Sequence, residues 1–360
     1  MSLRYVTTRF AVEGEFCGAE EWGSGHINDT YRASYRTDGG IVHYIHQRIN
    51  HHVFRNPEAM MQNIARVTSH LQEKLGPEGA RHALRLVPTR EGAAFCRDEE
   101  GNYWRTYNFI GGARSYDTIE TPQQAYEAAR AFGEFQGLLI DFPPPRLLET
   151  IPDFHHTPKR FAALERAIEQ DAVNRAVRAR AEIEFAVRHK GLANLLLNAN
   201  LPERVTHNDT KINNVLLDDL TCEAVCVIDL DTVMPGLALY DFGDMVRTAT
   251  CRAPEDERDL AKVTVEPELF EAVARGYLTA TRGFLTAAER NLLVASGKVI
   301  TFEIGVRFLT DYLQGDVYFK VHRDGHNLDR CRSQFKLLQS IIDQEDRLCR
   351  MVERLAAELG

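Results

Sequence analysis

The sequence predicts an α+β fold in two lobes, a small antiparallel-sheet N-lobe followed by a larger helical C-lobe. Three observations carry this. Short β-prone runs dominate residues 1–111, helical periodicity dominates residues 112–360, and the changeover falls at "GGARS". In the first part "GHINDTYRASYR", "GIVHYIHQRI" and "NYWRTYNFI" read as strands. Between the second and third of these, Met61, Ile64, Val67 and Leu71 recur at helical spacing, predicting one helix from Pro57 to Leu75. In the second part Thr121-Pro122 opens a helix whose Ala125, Ala128, Phe132, Phe135 and Leu139 share a side. Pro143-Pro144-Pro145 reads as a loop, and amphipathic stretches near 158–190, 286–313 and 329–358 supply the bulk of the helical lobe. No internal repeat or low-complexity segment interrupts the pattern.

Composition narrows the function. At 360 residues, 44% hydrophobic and 26% charged, the chain can bury two substantial cores. A net charge of −9 argues against a nucleic-acid partner, because phosphate backbones are held by clustered Lys and Arg. A small ligand or metal is the expected partner, and no obligate protein partner is implied. The seven cysteines show no paired CxxC spacing, which predicts neither a zinc site nor a disulfide framework and suggests reduced, mostly buried thiols. The first residues lack the apolar core of a signal peptide and no run is long enough to span a bilayer, so a cytoplasmic protein without membrane contact is expected.

The chemistry concentrates in "THNDTKINNVLLDDLTCEAVCVIDLDTVMPG", residues 206–236. "NNVLL" and "AVCVID" are β-prone and "DDLTCE" between them can turn, so the stretch predicts a β-hairpin. If Asn214 enters the first strand where Asp229 leaves the second, their side chains meet at the hairpin mouth, with His207 and Asp209 on the loop before it. Magnesium commonly takes only one or two protein oxygens, leaving other positions to water and substrate phosphates, so Asn214 plus Asp229 is a sensible ligand pair for a metal nucleotide. Asp209 then stands free to receive a hydroxyl proton. Taken singly these residues fit an ordinary acidic turn. Together, HxDxxxxN followed by a strand ending Ile-Asp is the arrangement of a phosphoryl-transfer site.

On these residues the chain resembles the aminoglycoside phosphotransferase and choline kinase superfamily of small-molecule kinases, whose fold is protein-kinase-like, over nearly its whole length. Within that group "GSGHINDTY", "FHHTPKRF", "RVTHNDTKINNVLLD", "VIDLDTVMPGLALYDFGDMVR" and "VRFLTDYLQGDVYF" look most like the N-acetylhexosamine 1-kinases, which phosphorylate the anomeric hydroxyl of GlcNAc or GalNAc with ATP. The resemblance implies Asp209 as catalytic aspartate, His207 as its support, and Asn214 and Asp229 as Mg2+ ligands. It further implies His26, Arg307 and Tyr318 as sugar contacts beside Asp209. Other acceptors within the same class are an alternative sugar, an amino alcohol or an aminoglycoside. A non-catalytic nucleotide-binding protein is the alternative outside it.

The nucleotide side departs from the kinase template. Gly23 and Gly25 lie in a turn suited to covering phosphates, but Asn28 stands where a third glycine is expected. "HYIHQRIN" carries no lysine to meet the phosphates, so Arg48, or failing it Gln47, is expected in that place, with Glu58 on the next helix as its partner. Backbone groups of Asn108, Phe109 and Ile110, where the last strand runs into the helical lobe, are the expected adenine contacts. Asp241 and Asp244 do not make a second metal site in this reading; Asp241 holds the catalytic loop through its backbone amides, and Asp231 supports or joins the metal ligands. Thr248 stands where related sugar kinases carry phenylalanine, which reshapes the pocket wall.

Overall fold

The computed structural model describes residues 3–23 and 27–360; Gly25 and His26, expected at the phosphate turn and the sugar site, lie outside the described residues. The N-terminal part is built on a five-stranded antiparallel sheet. Its strands are β1 (Glu15–Glu21), β2 (Asp29–Thr37), β3 (Gly40–Ile49), β4 (Cys96–Arg97) and β5 (Tyr103–Asn108), in spatial order β1-β2-β3-β5-β4. Helix α1 (Leu3–Arg9) covers one face, where Val6 and Phe10 pack on Val87, Cys96 and Trp104. Helix α2 (Pro57–Leu75) covers the other. Asn56 caps it by accepting from the Ala59 amide, Pro57 supplies a preset first turn, and Met61, Ile64, Val67 and Leu71 are all buried as their spacing predicted.

The cluster under α2 does not stop at the sheet. Ile49 and Tyr107 of the sheet and Met60 and Ile64 of α2 pack in one body with Phe135, Leu139, Leu230 and Val233 from the helical part. The two lobes therefore share a core.

Helix α3 (Pro122–Leu138) opens the helical lobe with a capping box between Thr121 and Gln124. The stretch at 158–190 divides into α4 (Thr157–Gln170) and α5 (Arg180–Arg188), because Asp171 takes a left-handed conformation, with φ of 36°, and its carboxylate accepts from the amides of Arg175 and Ala176. Two small sheets carry the site. Strand β6 (Ala113–Arg114) pairs with β8 (Val215–Asp218) and β8 with β9 (Ala224–Val227), while β7 (Glu203–Thr206) pairs with β10 (Met234–Leu237). Helix α6 (Ala238–Ala249) follows at once and packs tightly on a long later helix, α9 (Leu293–Gln314): a Cβ on Gly243 would sit 2.5 Å from the carbonyl oxygen of Ser296. Between them lie α7 (Pro267–Thr281) and α8 (Ala287–Asn291), and α10 (His326–Asp343) and α11 (Glu345–Leu359) close the chain. The stretches at 286–313 and 329–358 thus each contain two helices, jointed at single residues, Leu292 and Gln344.

Among the described residues no helix is long and apolar enough to cross a membrane. All seven cysteines are free, but only Cys96, Cys226 and Cys331 are buried, fewer than expected.

Candidate active site

The predicted hairpin forms, one residue out of the expected register. Val215 pairs with Val227 and Leu216 with Cys226, so Asn214 falls opposite Ile228, whose amide donates to the Asn214 carbonyl at 2.8 Å. Asp229 comes one residue later and leaves the strand with a left-handed backbone, φ 59° and ψ 63°, in which a carboxylate residue is one of the few non-glycines at ease.

The loop after β7 presents His207, Asn208 and Asp209, and α6 holds it from behind. The buried Asp241 carboxylate accepts from the His207 amide at 3.0 Å and from the Asn208 amide at 2.7 Å; Asp244 accepts from the Thr210 amide at 2.8 Å. Asp244 is in turn paired with Arg247. These two acids therefore serve the loop rather than a metal. The His207 ring is fully buried between the edges of Phe132 and Phe135, donates from Nε2 to the Ile228 carbonyl at 2.9 Å, and accepts at Nδ1 from the Asp209 amide at 3.3 Å.

Asp209 reaches its neighbours directly. Lys211 Nζ lies 3.2 Å from Oδ2, and the Asn214 amide donates to the Asp209 carbonyl at 2.8 Å and to Oδ2 at 3.3 Å. Burial pushes the Asp209 carboxyl up, but the surrounding positive charge, Lys211 foremost, outweighs it and holds the group below its ordinary value, anionic at neutral pH. Lys211 is correspondingly pushed up to about 12, first by Asp209. Asp229 behaves oppositely: burial and the charges of Asp231 and Asp209 push it up to about 7. With the Asn214 nitrogen spent on Asp209, its carbonyl oxygen and the Asp229 carboxylate are the atoms left to a cation, and a carboxylate crowded by like charge is where a divalent ion would relieve most repulsion. Among the described residues no three His, Cys, Asp or Glu side chains form a metal cluster. An amide oxygen and a carboxylate are the donor types a hard cation takes.

The cleft face of the sheet carries a residue the sequence did not single out. Arg105 on β5, 1% exposed, pairs with Asp231, two residues past Asp229. Its Nε donates to Gln47 at 2.9 Å, and the Asn28 amide donates to the other oxygen of Asp231 at 2.6 Å. Asn28 also accepts from the Asn50 amide, so the residue in the place of a third glycine ties the start of β2 to the loop carrying Asp229 and Asp231. Arg48 does not share this face. It pairs with Asp29 in the open, and Glu58, its expected partner, pairs with Arg97 at the surface. Gln47, not Arg48, is the β3 residue that meets Arg105. Gly23 sits in an exposed turn with φ of 81°. Of the expected adenine contacts, the Asn108 amide is already given to the Arg85 carbonyl at 3.1 Å, which leaves Phe109 and Ile110 beyond the strand end.

On the far side Arg307 and Tyr318 do come together. The Arg307 guanidinium lies 5.5 Å from the Phe154 ring, 5.8 Å from Tyr318 and 5.5 Å from Phe319. Tyr318 is 63% exposed, so it is no core aromatic. Its loop is pinned by Asp311, which accepts from the amides of Val317, Tyr318 and Phe319. Burial and the charge of Arg307 pull the Arg160 guanidinium below its ordinary value, and among the described residues neither arginine has a carboxylate at ion-pairing distance.

A sheet lobe over a helical lobe, with a loop aspartate, an asparagine and a second aspartate converging between them, defines a small-molecule phosphotransferase of the protein-kinase-like type. The chain belongs to the APH phosphotransferase enzyme family, whose family model matches residues 18–288. Solved structures share the fold across almost the full length. An aminoglycoside phosphotransferase from Alicyclobacillus acidocaldarius superposes with a TM-score of 0.59 at 14% identity, covering 100% of this chain and 96% of that one. A microcompartment-associated aminopropanol kinase gives 0.56 at 15%, covering 96% and 97%. A Plasmodium vivax ethanolamine kinase gives 0.55 at 15%, covering 88% and 82%.

Proposed function

We propose that this phosphotransferase uses MgATP to phosphorylate the anomeric hydroxyl of an N-acetylhexosamine, GlcNAc or GalNAc, with residues 1–111 holding the nucleotide and 112–360 the sugar. The carrying observation is a pair of arginines beside an exposed tyrosine, which this reading takes as the acceptor wall. Two structurally similar enzymes are named as kinases of amino alcohols, aminopropanol and ethanolamine. Here Arg160 and Arg307 crowd together without a paired carboxylate, beside an exposed tyrosine. That charge opposes a cationic acceptor, whereas an arginine fork and a tyrosine face suit a neutral ring rich in hydroxyls.

In this reading Asp209 orients the C1 hydroxyl and takes its proton, a lighter task than for an ordinary alcohol because a hemiacetal hydroxyl is more acidic. Lys211 keeps the Asp209 carboxylate ionised. Asn214 and Asp229 hold Mg2+, which when bound neutralises charge on the phosphate oxygens. Gly23 and the turn around it cover the phosphates, and the backbone of Phe109 and Ile110 meets adenine. Arg105, rather than Arg48, supplies the positive charge on this face of the sheet.

An ADP-release assay over N-acetylhexosamines, hexoses, ethanolamine and choline tests the proposal. Turnover is expected on GlcNAc or GalNAc and absent on choline and ethanolamine. Asp209→Asn is expected to lose at least about a hundredfold in kcat while still binding MgATP. Preferred turnover of an amino alcohol would overturn the acceptor reading, and near-parental turnover by Asp209→Asn would overturn the role of that residue.

A further inference from the structure

Phe154-His155-His156-Thr157 leads into α4 and packs against the catalytic loop. His155 is buried, and both of its ring nitrogens face acceptors: Nδ1 lies 2.8 Å from Oε1 of Glu303 on α9, and Nε2 lies 3.1 Å from the carbonyl oxygen of Asn208. A carboxylate and a carbonyl have no proton to share, so each nitrogen must bring its own and the ring is an imidazolium. Glu303 is itself fully buried, and its second oxygen accepts from Thr157 Oγ1 at 2.6 Å.

The surroundings favour that charge. From α9 come Glu303 and, one turn on, Arg307; from α6 come Asp244 and the Tyr240 ring, 5.0 Å away; from its own segment comes Phe154. Burial alone would strip the proton. The Glu303 charge and hydrogen bond, with the Asn208 carbonyl and Asp244, outweigh burial and hold the ring above the usual histidine value. The segment also borders a cavity of about 280 Å³ lined by Phe154, His155, Asn208, Gly236 and Tyr240 among others.

Asn208 is where this charge acts. Its amide goes to Asp241, its side-chain oxygen accepts from Thr206, and its side-chain nitrogen donates to the carbonyls of Thr206 and Thr232. The one polar group left is the carbonyl of the peptide joining it to Asp209, and His155 holds that. The Asn208 backbone is left-handed, φ 66°, a conformation asparagine tolerates, and the hydrogen bonds to Asp241 and His155 fix the peptide plane within it.

We infer that His155, kept as an imidazolium by Glu303, is a positioning residue that sets the aim of Asp209 through the Asn208 carbonyl, and that this grip is released when the ring loses its proton at alkaline pH. The inference rests on Asp209 as the group that receives the acceptor hydroxyl. The sign follows from the raised value: the charged ring is present at neutral pH and is lost only as pH rises, so kcat falls on the alkaline side.

The test joins a direct readout with a kinetic one. In full-length protein with 15N-labelled histidine, NMR should show one ring with both nitrogens protonated at neutral pH, absent in His155→Gln. With MgATP and GlcNAc, or whichever acceptor the panel shows to be turned over, His155→Gln should lose about ten- to a hundredfold in kcat, as expected for a misaimed group. Its KM for MgATP should stay within about twofold of the parent, and the alkaline fall in kcat should vanish. If His155→Gln does not fold, Glu303→Gln identifies the resonance in the parent by shifting it, and the protonation state still decides. A singly protonated ring at neutral pH, or a variant with the parent's kcat and pH profile, overturns the inference. Failure of GlcNAc as acceptor leaves the NMR arm intact, so the two readings fail separately.

Discussion

Arg105 and Arg48 lie on neighbouring strands, and the pleat turns them to opposite faces of the sheet: Gln47 is the register partner of Arg105, while Arg48 stands opposite Trp104. The consequences differ by the dielectric each charge meets. Arg48 pairs with Asp29 at a surface where both side chains are more than 40% exposed, and such pairs contribute about 0–1 kcal/mol. Arg105 and Asp231 are 1% and 2% exposed, so removing one leaves the other buried and uncompensated, at a cost of roughly 3–5 kcal/mol. Arg48→Ala should therefore leave urea stability and the KM for MgATP nearly unchanged, whereas Arg105→Gln should lose several kcal/mol and raise that KM. Equal effects of the two substitutions would refute the assignment of the cleft cation. The sequence could not separate these arginines because α1 and α2 cover both faces of the sheet. "HYIHQRI" consequently lacks the apolar–polar alternation that would have marked which residues face the cleft. The hairpin that brings Asn214 beside Asp209 was readable because its strands and turn are contiguous in sequence, while Arg105 meets Asp231 from 126 residues away.

At the scale of elements, the catalytic loop is aimed by what grips β7 and α6. Arg204, three residues before His207, forks onto Glu289 at 3.1 and 2.9 Å, and Glu289 also closes the capping box of α8 by accepting from Thr286. Burial pushes the Glu289 carboxyl up, but Arg204 and Thr286 pull it further down, to a net value below the ordinary 4.5. A depressed carboxylate contributes stability that is present above its unfolded value and lost as pH falls through its folded one. Glu289→Gln should hence cost roughly 2 kcal/mol at pH 7, and the gap to the parent should narrow in acid below 4.5. Urea titrations at both pH values check this, and a gap of constant size would show that the charge is not what Arg204 reads. Helix α2 and the hairpin were legible because their apolar spacing is clean. The joints at Leu292 and Gln344 were not, since a one-residue bend leaves the apolar stripe nearly continuous. Strand β1 was implied by the turn at Gly23 but given no bounds because, mostly exposed at the sheet edge, it has no buried face to pattern its residues.

For the molecule as a whole, the question is whether two lobes behave as one folding unit. Ile49 and Tyr107 of the sheet share a core with Phe135, Leu230 and Val233 of the helical lobe, and Asp231 is bonded to both Arg105 and Asn28 across the same boundary. A shared core couples unfolding, because neither lobe can open without exposing apolar surface of the other and stranding a buried charge. Differential scanning calorimetry of the full chain should accordingly show one transition. A nucleotide seated between the lobes binds only the assembled state, so MgATP at a hundred times its Kd should add about 2.7 kcal/mol and move that single transition upward as a unit. Chelating Mg2+ with EDTA in the presence of ATP should remove most of the gain, since the acidic group of Asp209, Asp229 and Asp231, in which burial and like charge push Asp229 up to about 7, meets an uncompensated polyphosphate once the cation is gone. Two transitions, only one of them shifted by MgATP, would mean that the lobes are stable apart and that the Arg105–Asp231 contact orients the site without joining the fold.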